Sequence, residues 1–300
     1  METGCPKCGS DLKYLGEVSA EQLELVACAL KVIRTVRVKK ACVKCDCIVE
    51  APAPSRPIDR GIAGPSLLAR ALTSKYGEHL PLYRQTAILA RQGVDLSRAL
   101  LSNWVDACCR LMAPLDEALY RYVMDTRKLH TDDTPVPVSP GRKKTKTGRP
   151  WTYVRDNRNA GSSDPPAAWF AYSPSDSLHE WMVDKSATLS KKSRLGEAFA
   201  YTLNQWDALC YYADDGLAEP DNNAAERALR AVCLEKKNYI FFGSDHGGER
   251  GALLYGLIGT CKLNGIDPEA YLRHILSVLP EWPCNKVAEL LPWKVDLTSH

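Results

Sequence analysis

Apolar residues recur at helical spacing twice in the first half of the chain, from Pro81 to Arg91 and from Ser97 to Arg110. Leu96, Leu100, Trp104 and Cys108 mark the second stripe, Gly93-Val94-Asp95 supplies the turn between the two helices, and Ser97 is placed to cap the second. Strand patterns lie on either side. Upstream, ELVACALKVIRTVRVKKA alternates as a small antiparallel hairpin would. Downstream, HTDDTPVPV (His130 to Val138), PWTYVR (Pro150 to Arg155) and AAWFAY (Ala167 to Tyr172) read as three successive strands. The first of these carries acids midway and is disrupted by prolines near its end. Pro52, Pro54, Pro57 and Gly64-Pro65 punctuate the chain, so a boundary is expected near residues 51 to 65. The pattern predicts a mixed α and β protein.

With 300 residues, 45% hydrophobic and 25% charged, the chain can bury a sizeable core and hold two or more domains. No run of about 18 apolar residues is present, and the start, METGCPKCGS, lacks the basic-then-apolar pattern of a signal peptide, which predicts a soluble, cytoplasmic protein with no membrane partner. Net charge is only +3, yet positive charge is bunched. Lys31, Arg34, Arg37, Lys39, Lys40 and Lys44 stand without an acid among them, as do Arg142, Lys143, Lys144, Lys146 and Arg149. Such clusters suit a phosphate backbone, the alternative being a solvated face.

The 12 cysteines are neither evenly spaced nor preceded by an export signal, which favours reduced thiols. Cys5-Pro6-Lys7-Cys8 and Cys42-Val43-Lys44-Cys45 form two CxxC knuckles on either side of the hairpin, the spacing of a zinc ribbon with a closed, structural site of four thiolates. Cys47 could replace Cys45, and Cys28 reads as a small core residue. The competing reading is a redox or purely structural thiol set. In the helical pair, Arg98, Ser102 and Asn103 fall on the polar side of the second helix, as in a helix-turn-helix; a plain core-forming hairpin shows the same pattern.

Two acidic motifs stand far apart, HTDDTPVPV and DNNAAERALR at Asp221 to Arg230. Taken alone, adjacent aspartates before Thr-Pro suit a turn, and Asn223 with Glu226 suits a capping box. Together with KNYIFFGSDHGGER and KLNGIDPEAYLRHIL, however, the motifs resemble transposases of the insertion-sequence 66 family, and the cysteine module resembles that family's zinc ribbon. The resemblance implies an RNase H-like catalytic domain that holds Mg or Mn on carboxylates, with Asp132 and Glu226 as catalytic metal ligands. It implies DNA contacts from Arg227 and Arg230, beside those suggested for Lys143, Lys144 and Arg98, and structural zinc on Cys5, Cys8, Cys42 and Cys45. The partners implied are DNA at inverted-repeat element ends, further copies of the chain around paired ends, and accessory proteins encoded by the same element.

The family places a second catalytic Asp between the two motifs. Here SPSDSLHEW follows directly after AAWFAY, which reads as an in-frame internal loss near Ser173 to Ser177. Asp176 and Asp184 are the nearest substitutes. The expected layout is a zinc ribbon at 1–50, a linker at 51–65, a helix-turn-helix-like segment at 66–125, three strands of an incomplete RNase H-like domain at 126–176, a helical remainder with the Glu motif at 177–260, and a helical tail at 261–300. The function expected is DNA binding and metal-dependent strand cleavage and transfer, impaired in this chain. The alternatives are a non-catalytic DNA-binding remnant regulating a full-length relative, and a zinc-ribbon protein of transcription or RNA handling.

Overall fold

Two long strands dominate the amino-terminal part of the computed structural model, which describes residues 4–26, 29–126, 128–139, 146–158, 161–174, 222–239 and 242–297. Strands β1 (Leu12–Val26) and β2 (Ala29–Cys42) pair antiparallel along their whole length, and β3 (Ile48–Glu50) adds to β2. The hairpin therefore reaches well upstream of the ELVAC segment from which it was expected. It has little core of its own. Among the described residues up to 50, Cys5 and Cys42 are the only buried side chains of the apolar class, while Val32, Ile33 and Val36 stay exposed.

The far end of this ribbon is fastened to the rest of the protein by backbone and by one buried acid. Leu23 N–H donates to Ile62 O at 2.6 Å and Gly64 N–H to Leu23 O at 2.9 Å. Glu24 accepts from Leu67 N at 2.8 Å, in the first turn of α1 (Pro65–Tyr76). Helix starts leave N–H groups unpaired and favour negative charge, so a carboxylate from the ribbon does the work that the cap residue, Gly64, has no side chain to do. A Cβ on Gly64 would lie 2.1 Å from Glu24 Oε2, so only glycine admits this contact.

Helices α2 (Leu82–Arg91) and α3 (Arg98–Met124) occupy the two predicted helical stretches, and Ser97 Oγ accepts from Leu100 N at 3.1 Å as the expected cap. Helix α3 does not stop near Arg110 but runs for 27 residues, because the apolar stripe continues through the buried Met112, Leu115, Leu119 and Val123. It spans the core.

The first acidic segment forms β4 (His130–Asp133) and β5 (Val136–Val138), one strand interrupted at Thr134-Pro135. Both lie antiparallel along one side of β6 (Lys146–Arg155), and β7 (Ala167–Ser173) pairs antiparallel along the other. Register fixes the faces. Asp132 stands opposite Thr152, which stands opposite Phe170; Asp133 stands opposite Trp151 and Ala171. The face bearing Tyr153 and Trp169 packs on α3 through Tyr120, whose ring centroid lies 4.6 Å from that of Trp169. The face bearing Asp132, Val154 and Phe170 is covered by α4 (Asn223–Tyr239) and α5 (Asp245–Leu263). Helix α6 (Pro268–Val278), capped by Asp267, packs on α1, and three short 3-10 turns follow through Lys294. Helix α5 runs unbroken through residue 260, where a boundary was expected.

Between α1 and α4 lies a buried ion pair, Lys75 Nζ to Glu235 Oε1 at 2.9 Å, with Glu235 only 1% exposed and its Oε2 without a hydrogen-bond partner among the described residues. Burial pushes the Glu235 carboxyl up to about 7, against the pull of Lys75. The folded chain then binds more protons than the unfolded chain between about pH 4.5 and 7, so this group's contribution to stability falls as pH rises through that window, by up to about 3 kcal/mol. In Glu235→Gln the component should vanish, leaving a flatter Tm-against-pH curve than wild type from pH 4.5 to 7. Parallel curves would sink the assignment.

Candidate metal and nucleic-acid sites

Each CxxC knuckle is closed by the same backbone bond. Cys5 N–H donates to Ser10 O at 2.8 Å and Cys42 N–H to Cys47 O at 2.9 Å, and the residue before each acceptor, Gly9 and Asp46, takes a left-handed φ of 73° and 50°. Cys47 thus occupies the place that Ser10 occupies in the first knuckle, a closing carbonyl rather than a ligand. The sulfurs of Cys5, Cys8, Cys42 and Cys45 converge, with Cys5–Cys45 at 3.5 Å, Cys8–Cys42 at 3.4 Å and Cys8–Cys45 at 3.6 Å. Zinc–sulfur bonds of about 2.3 Å in a tetrahedron require edges slightly longer than these, so the donor set fits zinc with a small expansion. Burial opposes ionisation of Cys5, but the N–H groups of Lys7 and Cys8 outweigh it. The Ser10 hydroxyl and N–H draw Cys8 down to about 6. The Cys47 N–H pulls Cys45 down as well, yet its three neighbouring thiols hold it up at about 12, the conflict a divalent cation removes. Cys28 lies outside the described residues.

The second site is an edge of the sheet. Asn222 Nδ2 donates to Thr131 O at 2.9 Å, Cys233 Sγ lies 3.8 Å from Thr134 Oγ1, and Lys236 Nζ donates to Pro135 O at 2.7 Å. Helix α4 therefore runs alongside β4 in the same direction. Asn222, Glu226, Leu229, Cys233 and Lys236 recur at three- and four-residue steps, so Glu226 belongs to the stripe that follows β4. Asp132 is half-buried on the sheet face that α4 covers, and its Oδ1 accepts from Asp133 N at 2.8 Å. Asp133 points to the opposite face and is held by Arg149. The strand period thus brings Asp132, not Asp133, to the side of Glu226. The first helical bond of α4 runs from Glu226 N to Asn222 O at 3.0 Å, so Asn222 is the cap residue and Glu226 stands one position beyond the place a capping box requires.

Arg227 and Arg230 are exposed, and Arg230 follows Glu226 by one helical turn. With Arg158 and Lys262 they line a cavity of about 330 Å³ beside α4, over β6 and β7. This grouping draws on three elements, and no sequence signal joins them. Arg98 is exposed at the start of α3. Lys143, Lys144, Asp176, Asp184 and Asp221 lie outside the described residues. Among the described residues, the four cysteines are the only group of three or more metal-ligating side chains gathered closely enough to hold one ion.

The GSDHGGER segment serves packing. Ser244 caps α5 by accepting from Gly247 N at 3.1 Å. Asp245 receives Lys146 at 2.5 Å and the Tyr172 hydroxyl at 2.6 Å, and these two, Lys146 foremost, hold its carboxyl below the usual range. Asp106 of α3 accepts from Arg250 at 2.7 Å and bonds His246 Nε2 at 2.8 Å. Although burial opposes it, that environment keeps the Asp106 carboxyl below its ordinary value.

Residues 60–177 and 175–250 match the model of the transposase IS66 family, residues 256–293 match the IS66 C-terminal element, and residues 2–46 match the zinc-finger binding domain of transposase IS66. An uncharacterized protein of Sinorhizobium fredii, y4hP, is 30% identical over 405 aligned positions covering 97% of this chain and 73% of that protein. A second, y4jD, is 28% identical over 395 positions, covering 96% and 77%. The alignments are thus about a hundred positions longer than this 300-residue chain, and the two stretches matching the family model meet at 175–177. The uncharacterized protein YuaK of Escherichia coli is 41% identical over 58 residues, 19% of this chain and 62% of its own. No solved structure matches. No described helix is long and apolar enough to cross a membrane. With matches that run from the cysteine knuckles to the last turns, the chain belongs to the IS66 transposase family.

Proposed function

We propose that this chain binds DNA at the ends of an insertion element and keeps two ligands of a catalytic centre, Asp132 and Glu226, but does not cleave DNA efficiently by itself. In this reading β4, β6, β7 and α4 are the surviving part of an RNase H-like domain: an antiparallel run of strands with an acid on the first and a helix bearing the second acid laid along it. The carrying observation is the convergence of Asp132 and the Glu226 stripe on one sheet face. Hard carboxylate oxygens suit magnesium or manganese, which would supply Lewis acidity at a scissile phosphate. A third acid to complete the set is missing among the described residues, and the shortening relative to the curated relatives falls where the family carries its second Asp. The zinc module, with the basic run from Lys31 to Lys40, and the α2–α3 turn with Arg98, in helix-turn-helix fashion, supply DNA contacts. Further copies of the chain, accessory element-encoded proteins and a cytoplasmic site of action belong to the same reading.

The test pairs an electrophoretic shift with strand nicking of a plasmid carrying the element's ends, in magnesium or manganese, for wild type and Glu226→Ala. The expected result is binding that weakens steeply with salt, as released counterions require, and no cleavage above the variant's background. Cleavage that the variant loses would show that another acid completes the centre and would overturn the impairment. Absence of salt-sensitive binding would overturn the whole reading.

A further inference from the structure

The β1–β2 ribbon has two unlike faces, sorted by strand alternation. Glu21 stands opposite Arg34, Ser19 opposite Val36, Glu17 opposite Val38 and, past the bulge at Leu15, Tyr14 opposite Lys40, all on one side. That side is the open one. Glu17, Ser19 and Glu21 are exposed, whereas Val18, Ala20 and Gln22 on the back are half-buried. Tyr14, Val32 and Val36, on the open side, are 66%, 63% and 46% exposed.

A row of large apolar side chains on an open sheet face marks a surface that a partner covers. The charges around the row select the partner. Both acids of the face, Glu17 and Glu21, belong to β1 and both bases, Arg34 and Lys40, to β2, and none of the four makes an ion pair among the described residues. Acids equal in number to bases oppose a phosphate backbone and suit a surface with the same pattern reversed. The back differs: Lys31, Arg37 and Lys39 project there, the last two held by Glu50 of β3 at 2.7 and 3.3 Å.

We propose that the open face of the ribbon pairs with the same face of a second copy of this chain. A two-fold axis parallel to the strands lays β1 of each copy over β2 of the other, so every residue meets its own cross-strand neighbour from the second copy. Glu21 then meets Arg34 at two equivalent places, while Val36 and Val32 pack along Ser19 and Leu23. The two-fold axis across the strands would instead stack β1 on β1 and set acid on acid. At about 3.3 Å per residue and 4.8 Å between strands, the segment from Tyr14 to Leu23 offers a footprint of roughly 300 Å² per copy. This is well below the roughly 800 Å² per partner of a stable complex, so the contact is weak and reversible by itself. Copies joined this way turn their Lys31, Arg37 and Lys39 faces outward in opposite directions, toward two separate DNA ends, and binding both strengthens the contact by effective concentration. That use rests on the DNA-binding reading above; the pairing itself does not.

Sedimentation equilibrium of the full zinc-loaded chain, from micromolar to near-millimolar concentration at low salt, tests the pairing, with a gel shift on element-end DNA run in parallel. The expected result is a reversible monomer–dimer equilibrium. Val36→Glu sets another acid against Glu17 and Glu21 of the second copy and should weaken the equilibrium about tenfold or more. Because that side chain is exposed, Tm should not change. Glu21→Arg and Arg34→Glu should each weaken pairing about fivefold, and an equimolar mixture of these two variants should recover it, since a mixed pair sets opposite charges together at both places. Recovery cannot arise from repair within one ribbon, because the two changes lie on different chains. A monomer throughout the series, a dimer indifferent to Val36→Glu, or a mixture no tighter than the separate variants overturns the pairing. So does a monomer whose DNA shift is lost in Val36→Glu, which would give the face to DNA. The DNA-binding reading stands or falls on the wild-type gel shift alone.

Discussion

Stripping zinc from the four-cysteine cluster should unfold the two knuckles and their flanking loops, residues 4–11 and 41–48, while the helical core survives. The knuckles hold no buried apolar side chain other than Cys5 and Cys42, which are themselves ligands, so no hydrophobic term remains once the metal leaves. Structural zinc contributes on the order of 10 kcal/mol to modules of this kind. The rest of the ribbon is held differently: Glu24 and Leu23 fasten its far end to α1 and the preceding loop without metal. Hydrogen exchange before and after chelation checks this, with protection expected to collapse in both knuckles and to persist around Leu254 and Tyr271. The chain should carry one zinc, lost in Cys8→Ser and retained in Cys47→Ser, since Cys47 acts through its carbonyl. Knuckle protection that survives complete removal of the metal would sink the structural role. The same treatment should weaken DNA binding, because the basic run of β2 loses its fixed anchor at Cys42.

Two adjacent glycines in α5 should respond very differently to the same substitution. A Cβ on Gly248 would lie 2.3 Å from Tyr172 Cδ2, and that ring has nowhere to go. Its hydroxyl is bonded to Asp245, the Phe242 ring stands perpendicular to it at 6.4 Å between centroids, and Gly148 of β6 lies against it, where a Cβ would fall 2.2 Å from the Tyr172 oxygen. Gly248→Ala should therefore cost about 3 kcal/mol, the upper end of overpacking, and lower Tm by roughly 5–10 °C. Gly247 meets only ordinary contacts, Ser244 Oγ at 3.6 Å and Phe242 Cβ at 3.9 Å. Gly247→Ala should be neutral or stabilise by up to about 1 kcal/mol, as alanine does for glycine inside a helix. Thermal unfolding of the two variants decides. Equal shifts would show that α5 does not lie against β7 as described.

Several elements were legible in the sequence because their determinants are local. The cap at Ser97, the paired knuckles and the strands around Pro150 to Arg155 and Ala167 to Tyr172 all depend on residues within a few positions of one another. Other features were not. The apolar spacing marks α3 only as far as Arg110, yet the helix continues because Leu119 and Tyr120 meet Gly256 of α5 and Trp169 of β7, partners that come from residues beyond 165. The upstream half of the ribbon was not legible for the opposite reason: no side chain from Leu12 to Leu23 is buried, so no core-facing pattern marks the strand and the pairing shows only in backbone register.

The sequence by itself determined the cysteine spacing, the two acidic motifs, the shortening between them and the family. Those are fixed by residue identity and short separations, and metal or carboxylate chemistry tolerates few substitutes. Only the tertiary structure decided which aspartate faces the helix. Asp132 and Asp133 are equal as letters, and the choice between them comes from strand register, which turns one toward α4 and locks the other to Arg149. It also decided that Arg227 and Arg230 line one cavity with Arg158, Lys262 and Tyr255. These are groups from separate elements, whose meeting depends on how α4 and α5 pack over the sheet and therefore leaves no trace in the order of residues along the chain.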